Sequence, residues 1–367
     1  MLRGLRRFAP GLELLAPAQP AAFGATGRVG TLRFMLRCPL QIGLAYDLLG
    51  SAPAGPPDAD VEYEPIETVE ALEGAIRLAG HVPVRIGSPR ELLAALGRGT
   101  LPKLDAAWNI AEGWGTRNRE AWAPILLEMA GIPALGSDAL ALSTSLDKAW
   151  TLDRVGAAGV PVGRYVCAES AGSLAGLALP GPFPLFVKPR WEGTAKGITP
   201  GSRVEDVVAL AREVERIVRD YRQPALIEPF LPGAEYTVCV IGNAPPRALP
   251  VLQRALEAES GIGLHALERH APSGGFAHVL PGALAPALEA ELRALAVRAF
   301  RALACSDFAR ADFRLDAAGR PRFLELNPLP TFARDGSFAV LAEILGRSLE
   351  DLLAELLALG LARLGLA

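Results

Sequence analysis

Two neighbouring segments near the end of the chain carry the side chains best suited to chemistry. The first reads as a strand whose period-2 alternation puts charged residues on one face and apolar residues on the other. Its charged face carries Arg310, Asp312 and Arg314. A turn at 316–320 leads to a second predicted strand, on which Phe323, Glu325 and Asn327 share a face while Leu324 and Leu326 point away.

Pairing of these strands as a hairpin would bring two carboxylates together. Asp312 and Glu325 lie at similar distances from the turn, and Asn327 adds an amide oxygen. Such a set of hard oxygen atoms suits Mg²⁺, which also takes phosphate oxygens as ligands. Arg310 would then reach the charge of a metal-bound phosphate. The alternative interpretation is a half-exposed hairpin with a solvated charged face.

A second segment has features of a phosphate site. Lys188 ends an apolar strand, and the loop after it contains Gly193, Thr194 and Gly197. A lysine ammonium and loop N–H groups together can surround a phosphate. No Gly-Lys-Ser/Thr stands at the spacing of a Walker loop, and an ordinary turn is the simpler alternative.

A third segment places acids on either side of a Pro/Gly turn. Glu228 and Glu235 flank Pro232-Gly233, and carboxylates accept hydrogen bonds from amino or hydroxyl groups such as those of adenine and ribose. A polar connection between two strands would show the same pattern.

In this order, the three segments resemble the ATP-grasp superfamily, and within it the D-alanine–D-alanine ligase family. The resemblance runs from about Ile42 to Leu352 and is strongest from Gly131 onward. There the Gly-Ile-Pro…Gly-Ser stretch at 131–137 and the pair Asp147-Lys148 are similar to family motifs.

The resemblance implies a role for each matching residue. The residues implied to bind ATP are Lys148, Lys188, Glu192, Gly193, Thr194, Glu228, Phe230, Leu231 and Glu235, with 192–197 as a flexible cover over the phosphates. Asp312, Glu325 and Asn327 are implied to hold two Mg²⁺ ions, with Mn²⁺ as an alternative. Arg310 is implied to stabilise the oxyanion of the transition state.

The positions expected to contact the substrate depart from the family pattern. A family serine is replaced by Ala195, and the nearest match to a loop carrying Lys and Tyr is 264–270, with Arg269 and His270 in their places. The family's Pro-Gly reads Pro330-Thr331. The family's serine for the substrate carboxylate is matched by Ser337, one residue out of register. The family's acid that places the first amino acid is matched by Glu64 or Glu67.

The implied activity is an ATP-dependent carboxylate–amine ligase that joins two amino acids through an acyl phosphate, D-alanine–D-alanine ligase-like and thus tied to peptidoglycan synthesis. A ligase for other amino acids or peptides, and a nucleotide-binding homologue without catalysis, are the alternatives. Expected partners are small molecules, with the monomer and the homodimer both left open.

The elements around these residues predict the architecture. Strands alternate with helices from residue 41 to about 130, which argues for a parallel sheet. The expected fold class is therefore α/β, with an α+β C-terminal part: an ATP-grasp fold preceded by a Rossmann-like domain. The predicted boundaries are 35–136 for the N-terminal domain, 137–228 for the central subdomain and 229–367 for the C-terminal subdomain. A helix is expected over Ser202–Tyr221, capped by Ser202.

Composition excludes several classes of protein. The 367 residues carry a net charge of −3, which supplies no positive field for nucleic acid. No apolar run approaches the roughly 20 residues of a membrane span, so no membrane partner is expected. The four cysteines are widely spaced, which favours the cytoplasm. Residues 1–34 are rich in Arg and poor in acids, which predicts a disordered or over-extended N-terminus with Met35 as the start, or else a targeting leader.

Overall fold

The computed structural model describes residues 38–257, 259–263 and 284–367. The predictions for residues 1–34 and Met35, and for the loop at 264–270, lie outside these residues.

The first part of the described chain is a parallel sheet covered by helices. Its four strands lie in the order β2-β1-β3-β4, and every pairing between them is parallel. This confirms the parallel sheet expected from the alternating pattern. The elements of this part are β1 (Gln41–Tyr46), α1 (Ile66–Leu78), β2 (Val82–Gly87), α2 (Pro89–Arg98), β3 (Ala106–Ile110), α3 (Trp122–Met129) and β4 (Ala134–Leu135).

Local sequence explains where the helix α2 begins and ends. Ser88 caps its N-terminus by accepting a hydrogen bond from the backbone N–H of Glu91, whose side chain bonds back to the N–H of Ser88. Pro89 stands at the first helical position, where no intrahelical N–H is needed. The helix stops at Gly99, which has a φ of 64°.

A second, antiparallel sheet follows, with its strands in the order β5-β8-β6-β7. One face is covered by α6, which shares a small core with the sheet. The elements here are α4 (Ala139–Leu146), α5 (Lys148–Ala157), β5 (Val166–Ala168), β6 (Leu185–Pro189), β7 (Arg203–Val204), α6 (Val207–Tyr221) and β8 (Ala225–Pro229).

The predicted start of α6 was wrong. The helix begins at Val207, and its cap is Asp206, whose side chain accepts from the N–H groups of Val208 and Ala209. Ser202 instead hydrogen-bonds to Glu213 at 3.2 Å, while the chain at 203–204 pairs with β6 as a strand. Val204 is buried as part of this strand and not as a position of the helix, so the helix cannot extend back to Ser202.

The third sheet is antiparallel and holds the two strands singled out for chemistry. Strands β10-β9-β12-β13 follow one another, and β11 also pairs with β9. A large core joins this sheet to α7 and α5. The elements are β9 (Glu235–Ile241), β10 (Arg247–Ala248), β11 (Leu252–Arg254), α7 (Pro286–Ala302), β12 (Phe308–Leu315), β13 (Pro321–Asn327), α8 (Ser337–Ile344) and α9 (Leu349–Arg363).

The last helix returns to the first sheet. Leucines of α9 pack against α1, and Trp108 of β3 meets Phe308 and Phe332 at ring-centroid distances of 5.9 and 5.7 Å. One hydrophobic core therefore joins the parallel sheet to one side of the third sheet. In the described part of the chain, no helix combines the length and the apolar character needed to cross a membrane.

Candidate active site

A deep cleft, called the central cleft below, lies between the second and third sheets. The space between its lining residues, including the part that is open to solvent, is about 840 Å³. Most of the residues assigned to ATP, metal or catalysis line it: Lys148, Lys188, Glu192, Thr194, Glu228, Phe230, Leu231, Glu235, Arg310, Asp312 and Glu325.

The hairpin β12–β13 supplies the cleft's acids. Asp312 lies directly opposite Glu325, and Arg310 lies opposite Asn327. The structure therefore confirms the predicted pairing of the two carboxylates. The charged face of β12 points into the cleft, while Ala309, Ala311 and Phe313 face the core.

One detail of this hairpin was predicted wrongly. The register shifts between Asp312 and Phe313, so that Phe313 pairs with Phe323 and the bulge lies at Leu324. Phe323 therefore faces the core, where its ring meets Phe313 at 5.7 Å, and Leu324 lines the cleft beside Glu325. A bulge adds one residue to one strand, which breaks the simple alternation on which the prediction relied.

Asp312 is held in place by two neighbours. Its Oδ1 accepts a hydrogen bond from the hydroxyl of Thr237 at 2.6 Å, and its Oδ2 accepts from Nε of Arg310 at 3.1 Å. Thr237 lies on β9, directly opposite Asp312. Three adjacent strand positions thus fix the direction of one carboxylate and one guanidinium.

Each of the two lysines in the cleft pairs with an acid. Lys148 Nζ lies 3.1 Å from Glu325 Oε2 and also donates to the backbone carbonyl of Glu192. Lys188 Nζ lies 2.7 Å from Glu228 Oε1. Lys148 is set by its position as the first residue of α5, a helix that Asp147 caps.

These pairings shape the ionisation of the cleft. Burial raises the pKa of Glu325, but the cations Lys148, Lys188 and Arg310 outweigh it, so the net pKa is lowered. Glu235 behaves differently, because burial outweighs the nearby Arg314 and raises its pKa to about 7. The inner end of the cleft therefore keeps an ionised acid, while Glu235 titrates near neutrality.

The far end of the cleft is aromatic and apolar. Phe230 has Arg203 and Arg314 over its ring, at 4.6 and 5.0 Å from the centroid. Phe186, Leu231 and Ile262 complete this end. A flat apolar slot of this kind fits a purine base.

The 192–197 loop covers one side of the cleft. Glu192 Oε1 accepts from the amide of Gln223 at 2.8 Å, and its Oε2 lies 2.9 Å from Lys196 Nζ. The N–H of Gly193 donates to Oε1 of Glu62 at 2.8 Å. Glu62 comes from the segment that precedes α1, so this loop contacts the N-terminal part of the chain.

A second cavity, called the acid-lined cavity below, adjoins the central cleft at Thr194, which lines both. Its acidic residues are Asp58, Asp60, Glu62, Glu64, Glu112 and Asp335, and no Lys or Arg is among the described residues that line it. Glu64 accepts a hydrogen bond from the hydroxyl of Thr331 at 3.0 Å. Glu67, the alternative acid, is exposed on the first turn of α1 and does not line the cavity.

Comparison with known proteins agrees with this geometry. The family model for the D-ala D-ala ligase C-terminus matches residues 157–358. A D-alanine–D-alanine ligase of Desulforudis audaxviator is 33% identical over 241 residues, covering 65% of this chain and 76% of that protein. The uncharacterized protein y4sG of Sinorhizobium fredii is 29% identical over 293 residues, covering 77% and 84%.

The chain belongs to the D-alanine–D-alanine ligase family. The crystal structure of the Bacillus anthracis D-alanine–D-alanine ligase, solved with ATP, superimposes with a TM-score of 0.66 at 20% identity, covering 88% of this chain and 98% of that one. The expected ATP-grasp fold is confirmed, and so is the expected D-alanine–D-alanine ligase-like, ATP-dependent ligase.

Three residues that the resemblance to this ligase family singled out line neither cavity. Gly193 lies in the 192–197 loop, where its N–H donates to Glu62. Asn327 does not line the central cleft, and its Oδ1 accepts from the N–H of Leu329 at 2.8 Å. Ser337, the first residue of α8, lines neither cavity and instead contacts Arg254 at 2.9 Å.

The structure also adds residues to the ligase site that the sequence did not reveal. Arg119 is buried and contacts Glu62, Glu112 and Glu192. Arg254 donates from Nε to Thr237 at 3.0 Å. A buried Arg or Glu in an irregular segment gives no clear signal of its position in the fold. The sequence shows only that acids recur at every second residue from Asp58 to Glu64 and that Arg119 stands beside Glu120.

Proposed function

We propose that the central cleft binds ATP and that the ligase activates one amino acid by phosphorylating its carboxylate. A carboxylate oxygen attacks the γ-phosphorus, and the bond between that phosphorus and the oxygen of the β-phosphate breaks. The products of this step are ADP and an acyl phosphate. The amine of a second amino acid then attacks the acyl carbon, a proton is lost, and phosphate departs as the amide forms. The observation that supports this best is the meeting of Lys148, Lys188, Arg310, Asp312 and Glu325 in one cleft.

The cations of the cleft are suited to a triphosphate. Lys148 and Lys188 are compact ammonium groups already fixed by Glu325 and Glu228, so little is lost in ordering them. Phosphoryl transfer needs positioning and charge stabilisation more than covalent chemistry from the protein. The apolar slot around Phe230 would take the adenine, and Glu235 the ribose.

The donor set also fits Mg²⁺. No group of three or more His, Cys, Asp or Glu that could hold a metal occurs in the described part of the chain, but Asp312 and Glu325 face each other in the cleft as hard oxygen ligands. We propose that these carboxylates would hold two ions together with ATP phosphate oxygens and water. Asn327 is assigned to the metal only by the family resemblance, since it does not line the cleft and its Oδ1 accepts from the N–H of Leu329. Bound Mg²⁺ supplies charge neutralisation on the phosphates.

Arg310 is placed to serve the second step. It is buried beside Asp312, which fixes its guanidinium at the inner end of the cleft. From there it can stabilise the oxyanion of the tetrahedral intermediate. The 192–197 loop beside the cleft has to exclude water, because water would hydrolyse the acyl phosphate.

The acid-lined cavity fits an ammonium group. We infer that the first amino acid places its amine there, beside Glu64. The carboxylate of that amino acid would then turn towards Thr194, which lines both cavities. D-alanine is the first candidate for both substrates because the named relatives are D-alanine–D-alanine ligases. A different amino acid or a peptide is the second candidate, since Ala195 lacks a hydroxyl and Thr331 already bonds to Glu64.

Mass spectrometry of the products tests this assignment. The protein is incubated with ATP, Mg²⁺ and a mixture of D- and L-amino acids, and new masses equal to two amino acids minus one water are sought. We expect the D-alanine dipeptide to dominate. A different dipeptide would replace the substrate assignment, and ADP without any amide would refute the ligase step.

A further inference from the structure

The 192–197 loop is held in a conformation that its own residues do not favour. Thr194 has a φ of 50° and Ala195 a φ of 58°, both in the left-handed region that non-glycine residues rarely enter. Such backbone persists only where surrounding contacts hold it. Several of the contacts that hold this loop come from the N-terminal part of the chain.

Two carboxylates bind the loop's backbone. Glu62 Oε1 accepts from the N–H of Gly193 at 2.8 Å, and Asp58 Oδ2 accepts from the N–H of Gly197 at 2.7 Å. Glu62 Oε2 also lies 3.4 Å from Nζ of Lys196. Both ends of the loop are therefore tied to the segment between β1 and α1.

Arg119 holds Glu62, the carboxylate that binds the N–H of Gly193. Its Nη2 donates to both oxygens of Glu62, at 2.8 and 3.0 Å, and to Oε2 of Glu192 at 3.3 Å. Its side chain is only 3% exposed. Burial raises the pKa of Glu62, but Arg119 and Lys196 outweigh it and hold the pKa at about 2, so Glu62 stays ionised.

This network reaches both cavities. At one end, the backbone carbonyl of Glu192 accepts from Lys148, which pairs with Glu325 in the central cleft. At the other end, Glu62 lines the acid-lined cavity. The guanidinium of Arg119 thus connects Glu62, in the wall of the acid-lined cavity, to Glu192, in the loop beside the central cleft.

We propose that Glu62 and Arg119 are positioning residues that latch the 192–197 loop closed over the central cleft. The latch keeps Thr194 and Ala195 at the wall of the central cleft and excludes water from the acyl phosphate while the amine attacks. This inference rests on the proposed function for its consequence in catalysis. The closure itself rests on the contacts above and can be measured without turnover.

Limited proteolysis measures the closure. Lys196 is buried, so trypsin should cleave the bond after it slowly in the wild-type protein. In Glu62→Ala we expect cleavage at that bond to be about tenfold faster, since the loop loses about one charge-assisted hydrogen bond, and the Kd for ATP to rise by a similar factor. The matched control is Glu73→Ala, which removes an acid that Arg77 and Arg85 hold on α1.

The coupling ratio measures the consequence. We expect the wild type to release one phosphate per amide formed, and Glu62→Ala to release about twice as much or more, because water reaches the acyl phosphate. Glu62→Gln keeps an acceptor for the N–H of Gly193 and should restore part of the coupling. Arg119→Lys keeps the charge but not the two-pronged contact, and should resemble Glu62→Ala.

The outcomes separate this inference from the proposed function. Unchanged cleavage and unchanged ATP affinity in a folded Glu62→Ala protein would overturn the latch. Faster cleavage with a wild-type protein that forms no amide would uphold the latch and refute the ligase assignment. Equal changes in Glu73→Ala would show general loosening and would also overturn the latch.

Discussion

The central cleft and the acid-lined cavity lie side by side but distribute charge in opposite ways. In the cleft, acids alternate with cations, as in Lys148–Glu325 and Lys188–Glu228. In the cavity, six acids line the wall without a Lys or Arg among the described lining residues, and Arg119 behind the wall pairs with only two of them, Glu62 and Glu112. The difference indicates a division of work, in which the cleft is built for a polyanion with its metal and the cavity for an ammonium group.

The largest effect is expected from removing Glu325, the proposed metal ligand that also pairs with Lys148. In Glu325→Ala we expect kcat for ADP formation to fall on the order of 1,000-fold, because a metal contributes several kcal/mol of charge stabilisation. Steady-state ADP release measures it. Near-normal release would refute the metal assignment.

A smaller effect is expected from a phosphate contact. In Lys188→Met the KM for ATP should rise about 30-fold, matching the loss of a charged hydrogen bond of about 2 kcal/mol, while the KM for amino acid stays within a few-fold. Because Glu228 would be left without its partner, Lys188→Met/Glu228→Gln serves as the control for stability. An ATP KM that does not change in either variant would contradict the role of Lys188.

A substitution in the acid-lined cavity should change the KM for the amino acid and not the KM for ATP. In Glu64→Gln the KM for the first amino acid should rise about 20-fold with the ATP KM unchanged, since the amide keeps its contact with Thr331 but loses the charge that attracts ammonium. Glu67→Gln, at an exposed position on α1, is the matched control. Equal effects of the two substitutions would remove the distinction between the cleft and the cavity.

The smallest expected effect is a dependence of the free energy of unfolding on pH through Glu235. Glu235 has a pKa of about 7 in the folded protein against 4.5 when exposed, so the folded state holds a proton that the unfolded chain has already lost. The free energy of unfolding contributed by this group should therefore fall by about 1 kcal/mol as the pH rises from 6 to 8. Urea unfolding of wild type and Glu235→Gln at both pH values measures it, and the variant should lack this decrease.

The central cleft could be predicted from the sequence because its residues lie on regular strands. The positions of Asp312, Glu325 and Arg310 follow from alternation and from the distance to a turn. The prediction failed at Phe323, where one inserted residue reverses the faces of the strand. Lys188 was singled out by its place at the end of an apolar strand before a Gly-containing loop, whereas Lys148 was assigned by family resemblance.

The acid-lined cavity could not be predicted in the same way. Glu62, Glu112 and Arg119 come from irregular segments far apart in the chain, and only the packed fold brings them together. The start of α6 shows the same limit on a smaller scale, since Asp206 and Ser202 are both good caps and tertiary contacts decided between them.

The most direct test of the whole account follows an oxygen atom. The protein is supplied with ATP, Mg²⁺ and D-alanine labelled with ¹⁸O in its carboxylate, and the inorganic phosphate is analysed by mass spectrometry. An acyl phosphate formed in the central cleft transfers one labelled oxygen to each phosphate released with a dipeptide. Unlabelled phosphate, or no release that depends on the amino acid, would contradict the account.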